Sequence, residues 1–350
     1  MISCEIDVKS MRNALDIVID VVTKKNKNLL YEYVELKVTE EEITLSGTDS
    51  NSYVTVKLKG IVKSPGQIMF EPVMLLKLLK DLDSTKNITV SELQDQVLSV
   101  GIGTRLPYSI RGKKGTVATP VITGVEINNA GLDVLKKVKL IEGSIDKDKQ
   151  YVTLKLNSGS ISISATNGYR LAKYEKSNSV DQSVSVVIDS KIVNLLNKCE
   201  VRDIGIDSQN KMIRFSGDIA EVVTKQILDP VPDVDLIVNN FPEYSLKIET
   251  EDFVKALKRL EIFGLESVVK VEVKSDIISF TVDDVVHGNG FEESFTATNN
   301  NKSIIFHIKL SYFLDALNSM ETAKIGYNSN VEPIFIVNSN LTQVIMPIRA

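Results

Sequence analysis

Three stretches of this 350-residue chain repeat one another without a gap, and that constrains the fold more than any other feature. They are QIMFEPVMLLKLLKDLDSTKNITV from Gln67, SVVIDSKIVNLLNKCEVRDIGIDS from Ser185 and SIIFHIKLSYFLDALNSMETAKIGY from Ser303. Phe70, Ile188 and Phe306 share one position, and successive members lie 118 residues apart. Met74, Ile192 and Leu310 match four positions later, and Leu78, Leu196 and Leu314 eight positions later. Offsets of four and eight trace one face of a helix, here entered from a short strand. Pro72 and Asp189 suit the start of such a helix. A second helix opens each copy: SMRNALDIVIDVVTKK from Ser10, AGLDVLKKVKLIEG from Ala130 and TEDFVKALKRLEIFG from Thr250. Met11, Gly131 and Glu251 are 120 residues apart, and each segment carries apolar residues at intervals of three and four.

Between helices the apolar period falls to two, as in Tyr53-Val54-Thr55-Val56-Lys57-Leu58, Val152-Thr153-Leu154-Lys155-Leu156 and Lys270-Val271-Glu272-Val273. Turn residues such as Asn157-Ser158-Gly159 punctuate these runs. Runs of strands between single helices predict an α+β fold with antiparallel sheet. The repeat is too long for a solenoid, so each copy reads as a domain. The expected boundaries are 1–116, 117–240 and 241–350, joined by short linkers.

Charge and chemistry narrow the function classes. The net charge of −5 opposes nucleic-acid binding unless the basic residues are segregated. Cys4 and Cys199 are far apart and lack metal-ligand spacing, so two buried thiols are expected. Glu5 and Asp7 stand where a signal peptide would be basic and then apolar, and no apolar run approaches a bilayer span. The expectation is a cytoplasmic protein without membrane contact. Only His287 and His307 could serve a nucleophilic site. His307 reads as a helix-capping residue and His287 as part of a hairpin turn. Gly101-Ile102-Gly103 lacks the third glycine of a dinucleotide fingerprint. Neither a catalytic site nor a cofactor is expected.

Three motifs fall in a meaningful order. SISATNGYRLAKYE (Ser162–Glu175) resembles the Ala-Thr-Asp-Gly-His-Arg-Leu-Ala segment of the bacterial DNA polymerase sliding clamp, the β subunit, with Asn167 for Asp and Tyr169 for His. FPEY (Phe241–Tyr244) resembles that family's Phe-Pro-Asp-Tyr at its second domain boundary. VIMPIRA (Val344–Ala350) resembles its Val-Val-Met-Pro-Met-Arg-Leu terminus. With the threefold repeat, the resemblance spans essentially the whole chain. It implies three similar clamp domains, each with two helices packed on antiparallel sheet, forming half of a ring. It implies a processivity factor whose head-to-tail homodimer encircles double-stranded DNA and slides without reading sequence. The implied partners are a replicative DNA polymerase subunit, a clamp loader and other proteins carrying clamp-binding peptides. The alternative is a clamp-like peptide-binding scaffold that does not encircle DNA.

The resemblance places a partner-peptide pocket on Thr166, Gly168, Tyr169, Arg170, Leu171, Pro242, Leu246, Val268, Tyr312, Val331, Pro333, Val344, Ile345, Met346, Pro347, Ile348 and Arg349. Apolar clefts with a few polar groups suit short peptides with Leu or Phe anchors. Arg170 and Arg349 are placed to hold carbonyls or acidic groups at the rim. Leu246, Lys309 and Ala350 depart from the family pattern. The alternative for Val344, Met346 and Ile348 is a plain alternating strand, which Pro347 disfavours. The resemblance also places Leu106, Tyr108, Ile262 and Phe263 at the dimer interface. For Ile262 and Phe263 the core face of a helix is the competing reading. The expected helices are 10–27, 72–83, 131–143, 190–200, 250–266 and 309–321. They hold 15 Lys and Arg against 13 Asp and Glu, and the remainder holds 26 against 33. The DNA-facing candidates are Lys24, Lys25, Lys27, Lys136, Lys137, Lys139, Lys255, Lys258 and Arg259, each with a solvated helix face as its alternative.

Overall fold

The alternating runs form antiparallel sheet, and the helices are few and short. The computed structural model describes residues 1–22, 32–84, 86–93, 96–103, 107–275, 277–284, 289–296, 298–299 and 302–349. In chain order the strands are β1 (Ser3–Asp7), β2 (Val34–Val38), β3 (Ile43–Thr48), β4 (Ser52–Leu58), β5 (Gly60–Ser64), β6 (Gly66–Phe70), β7 (Asn87–Leu93), β8 (Val97–Gly101), β9 (Tyr108–Lys113), β10 (Val125–Ile127), β11 (Tyr151–Asn157), β12 (Ser160–Thr166) and β13 (Arg170–Ser177). There follow β14 (Val184–Asp189), β15 (Asp203–Asp207), β16 (Met212–Ser216), β17 (Ala220–Lys225), β18 (Tyr244–Glu249), β19 (Val268–Lys274), β20 (Ile277–Asp284), β21 (Asn289–Thr296), β22 (Thr298–Asn299), β23 (Ile304–Lys309), β24 (Thr322–Tyr327), β25 (Ile334–Asn338) and β26 (Leu341–Ile345). The α-helices are α1 (Val8–Val18), α2 (Pro72–Lys80), α3 (Ser190–Cys199), α4 (Asp235–Val238), α5 (Thr250–Arg259) and α6 (Leu310–Asn318).

The chain divides into two compact units, one of residues 1–133 with 191–226 and one of residues 134–190 with 227–350. The first contains a 13-stranded sheet in the order β10-β15-β16-β17-β4-β3-β2-β6-β9-β8-β7-β1-β5. In it, α1 packs on β3, β4 and α2. Asp7 caps α1 by accepting the Ser10 N–H at 2.6 Å. Met11, Ala14, Leu15 and Val18 form its buried face. Glu71 caps α2, accepting the Val73 and Met74 N–H groups at 3.1 Å. Pro72 takes the first helical position, where no donor is needed.

The second unit holds a nine-stranded sheet, β14-β11-β12-β13-β26-β25-β24-β18-β22, and a four-stranded sheet, β21-β20-β19-β23. Here α5 packs on α6. Phe253, Ala256 and Leu257 of α5 repeat the buried Met11, Ala14 and Leu15 of α1 at a constant spacing of 242 residues. Phe253, Phe280, Phe295 and Phe313 meet at centroid distances of 4.5–5.7 Å, which makes the aromatic centre of this core.

Four details differ from the sequence expectation. The helix expected over 10–27 ends at Val18, and Lys24, Lys25 and Lys27 lie outside the described residues. The segment from Gly131 is a 3-10 helix over Leu132–Leu140. Its buried Leu132, Leu135 and Val138, continued by Ile141, recur every three residues, the period of a three-residue turn. Met74 is 63% exposed, and α2 buries Leu75, Leu76 and Leu79 instead. The matching buried sets are Ile192, Val193 and Leu196 in α3 and Phe313, Leu314 and Leu317 in α6. The gapless repeat therefore slips, by one residue between α2 and α3 and by three between α3 and α6, where β23 runs on to Lys309 before the helix begins. His307 is therefore a strand residue whose carbonyl accepts the Ile348 N–H at 2.7 Å, not a cap. His287 and Ala350 lie outside the described residues. Among the described residues no helix is long and apolar enough to cross a membrane.

Candidate functional site

The Thr166–Leu171 hairpin is the first piece of the site, and its side chains build its turn. Thr166 Oγ1 donates to the Arg170 carbonyl at 3.0 Å and accepts the Gly168 N–H at 3.2 Å. Asn167 Oδ1 accepts the Tyr169 and Arg170 N–H groups at 3.1 and 3.0 Å. Acceptance is all the turn asks of that position, so Asn serves where the family motif has Asp. Gly168 has φ +83°, a conformation that favours glycine. The turn leaves Tyr169 67% exposed.

Strand pairing then brings distant segments together. In the β13–β26 ladder Arg170 faces Ile345 and Leu171 faces Val344. In the next ladder Phe335 faces Val344 and Ile334 faces Ile345. Leu171, Val344 and Phe335 thus form one row across three strands, on one face of the sheet. Val234 completes this buried cluster, with Val238, Phe241 and Val337 packed against it. Phe241 meets Phe335 edge-on at 5.7 Å. The Met346 N–H extends the seam by donating to the Tyr169 carbonyl at 2.9 Å. The strand ends at Ile345, so Pro347 lies beyond the ladder.

The segment 230–238 covers this face, and the sequence reading missed it. Pro230, Val231, Pro232 and Val234 wall a cavity of about 170 Å³ together with Thr166, Asn167, Gly168, Tyr151 and Thr153. Leu236 of α4 is 71% exposed. The expected contributors ten residues later sit elsewhere. Pro242 is buried at the entry to β18, and Leu246, 1% exposed, pairs with Ile325 in the core of the β18–β24 ladder. Leu246 offers no surface to a ligand. The signal was present: Val231-Pro232-Asp233-Val234 carries the same Pro-Asp pair as Phe-Pro-Asp-Tyr, ahead of the apolar run Leu236-Ile237-Val238.

The same face of β11–β13 carries charge. Lys173 lies two residues beyond Leu171 and is 7% exposed in its side chain. Its ammonium contacts Asp235 and Glu175, each at 2.8 Å. Lys155 also contacts Asp235. Burial alone pushes the Lys173 pKa down, but hydrogen bonds to Asp235 and Glu175 outweigh it and raise the pKa above its ordinary value. Burial pushes Asp235 up, and its hydrogen bonds to Lys155 and Lys173 bring it below the usual carboxylate range.

Arg170 points the other way, and its charge is engaged within the chain. Its guanidinium donates to Asp315 at 2.7 Å and stacks 4.3 Å from the Tyr312 ring centroid. A Cβ on Gly143 would lie 3.0 Å from Arg170 Nη1, so glycine is what lets the two approach. Asp315 thus occupies Arg170 Nη1, the kind of acidic group expected at this rim residue, from within the chain. Lys309 sits 4.8 Å from the centroid of the same Tyr312 ring and pairs with Glu266. Val268 faces Lys309 in the β19–β23 ladder. Val331 and Pro333 occupy the connection from β24 to β25, and Val331, Met346 and Ile348 are exposed. Arg349 is exposed as well.

Of the other candidates, Leu106 lies outside the described residues, and Tyr108 is 45% exposed at the start of β9. Tyr108 pairs with Val100, whereas β6 meets β9 only at Lys113 and Gly112. Ile262 is 82% exposed, which removes the reading of that residue as helix core, and Phe263 is half-buried. Lys136, Lys137, Lys139 and Lys258 are exposed. Lys139 pairs with Glu142, Lys255 with Glu251 and Asp252, and Arg259 with Glu293. Among the described residues no cluster of His, Cys, Asp and Glu could hold a metal ion.

Comparison with known proteins adds to this geometry. A family model described as DNA polymerase III beta subunit, N-terminal domain, matches residues 3–105. Another, described as DNA polymerase III beta subunit, C-terminal domain, matches residues 239–349. A beta sliding clamp of Chlamydia muridarum is 25% identical over 208 residues, which spans 57% of this chain and just over half, 56%, of that protein. One of Streptococcus pneumoniae is 21% identical over the full length of both chains. The crystal structure of a DNA polymerase sliding clamp from Bacillus subtilis matches with a TM-score of 0.87 at 16% identity, covering 100% of this chain and 99% of that one. The beta subunit from DNA polymerase of Streptococcus pyogenes matches with 0.87 at 17% identity over all of both chains. At such identities these structures establish a shared fold.

Proposed function

This chain belongs to the DNA polymerase III beta subunit family, and from that premise we propose that it is a sliding clamp, a processivity factor that tethers a polymerase to duplex DNA. In this reading three domains, near 1–116, 117–240 and 241–350, form half of a ring, and two chains close it head to tail. A ring that slides needs weak, screened phosphate contacts rather than base contacts. Exposed Lys136, Lys137 and Lys258 suit that role better than Lys255 and Arg259, which carboxylates already neutralise. Exposed Ile262 and Tyr108 are the apolar groups a second copy would cover.

The observation that carries the reading is the seam of Leu171, Val344, Phe335 and Val234. It is a packed apolar cluster beneath the segment 230–238, and the segments that meet at it leave Tyr169, Leu236, Met346 and Ile348 exposed. Those exposed groups, held in place by the cluster, are the surface that a short extended peptide with Leu or Phe anchors would cover. Two measurements test it. Deleting residues 346–350 should abolish binding of such a peptide while the native mass stays that of a dimer, and unchanged affinity would refute the pocket. Loaded protein should be retained on circular duplex DNA and lost from linear duplex. Equal loss from both would leave the peptide scaffold as the surviving function.

A further inference from the structure

We propose that Asp235 is the positioning residue of the peptide site, a latch that holds the segment 231–238 down as its wall. The inference rests on the peptide-site reading above and adds the device that fixes the site's shape. The short α4 cannot hold itself in place. It spans four residues, none of them buried, and Val234 at its start gives it no side-chain cap. A helix of one turn is not stable alone. Two adjacent residues supply the hold. Val234 enters the apolar cluster with Leu171, Phe335 and Val344. Asp235 takes Lys155 with one carboxylate oxygen and Lys173 with the other.

The lysines are in turn committed to this contact. Lys173 lies on the face that α4 covers, and its neighbours across the ladders, Ser164 and then Thr153, belong to that face too. Ser162 and Ser164 are buried there, at 3% and 5% exposure, so the floor beneath α4 is polar beside its apolar row. Without Asp235 the buried Lys173 ammonium would keep only Glu175, and an under-paired buried charge strongly favours opening to water. Opening would carry Val234 out of the cluster and Pro232 away from the Thr166–Gly168 turn. That would widen the cavity and spoil the surface a peptide reads.

The test uses the full chain as wild type and as Asp235→Ala, Asp235→Asn, Asp235→Glu and Lys155→Met. Amide hydrogen exchange of residues 231–239 in the unliganded protein reads the latch alone. Fluorescence anisotropy with a synthetic peptide bearing Leu and Phe anchors reads the site. Asp235→Ala and Asp235→Asn should speed exchange in that segment at least tenfold and weaken the peptide at least tenfold. Asp235→Glu, which keeps the carboxylate, should stay within about threefold of wild type in both. Lys155→Met keeps Lys173 paired and should fall between, which preserves the test if Asp235→Ala misfolds. Exchange equal to wild type in the Asn variant overturns the latch. So does a Glu variant as impaired as Asn, because loss of any packing would then explain both. A wild-type protein that does not bind the peptide overturns the proposed function instead, and the exchange rates still decide the latch.

Discussion

At the scale of single residues, environment sets the chemistry. Burial pushes the Cys4 thiol to about 11 and the Cys199 thiol to about 12, so neither forms thiolate at neutral pH. The native protein should therefore resist alkylation at pH 8 and react at both positions once unfolded; labelling followed by mass spectrometry checks this, and native-state modification would contradict it. The Lys173–Asp235 pair has a definite pH signature. Asp235 is depressed in the fold, so its contribution is present above its ordinary value of 3.8 and lost as pH falls through the lower folded value. Lys173 is raised, so its contribution is present below 10.5 and lost as pH rises through the higher folded value. Amide exchange over 231–238 should thus stay flat, once corrected for intrinsic rates, from about pH 5 to about pH 9. A step in that window would mean another group holds the segment.

Individual elements show which signals the sequence carried. The first and third opening helices were legible as a repeat, but their spacing is 242 rather than the expected 240, because α1 and α5 are aligned by the strands they directly follow. The 3-10 segment was misread because apolar residues every three positions also satisfy a loose helical pattern over so few turns. The Thr166–Leu171 segment was legible as a motif but not as a turn, although the residues that define the motif make the turn's hydrogen bonds. Asn167→Leu should cost about 1 kcal/mol by stripping two N–H groups of their acceptor, whereas Asn167→Asp should be nearly neutral; denaturant midpoints measure both. The wall at 231–238 was not legible from FPEY, because that motif's Pro242 is buried at the entry to β18 and the nearby Leu246 belongs to that strand's core. The Pro-Asp signal at 232–233 was present, but the local pattern alone does not decide which of the two Pro-bearing segments covers the sheet.

For the whole molecule, the proposed ring reconciles the charge balance with the exposed apolar groups. A chain with net charge −5 can approach DNA only if its acidic surface is held away from the phosphates, and the proposed ring would do so by geometry. Ile262→Asp replaces an 82% exposed apolar side chain, so it should leave the fold intact and shift the native mass from a dimer to a single chain of 38.8 kDa. An unchanged mass would place the self-association surface elsewhere.

The β13–β26 ladder joins residues about 175 positions apart, Arg170 with Ile345. Closing so long a loop is entropically slow, and contacts of that span are late events in folding. If the proposed peptide site is correct, it depends on a contact that forms late as the chain folds. An incomplete molecule could then hold much of its secondary structure and still lack a surface for the proposed peptide.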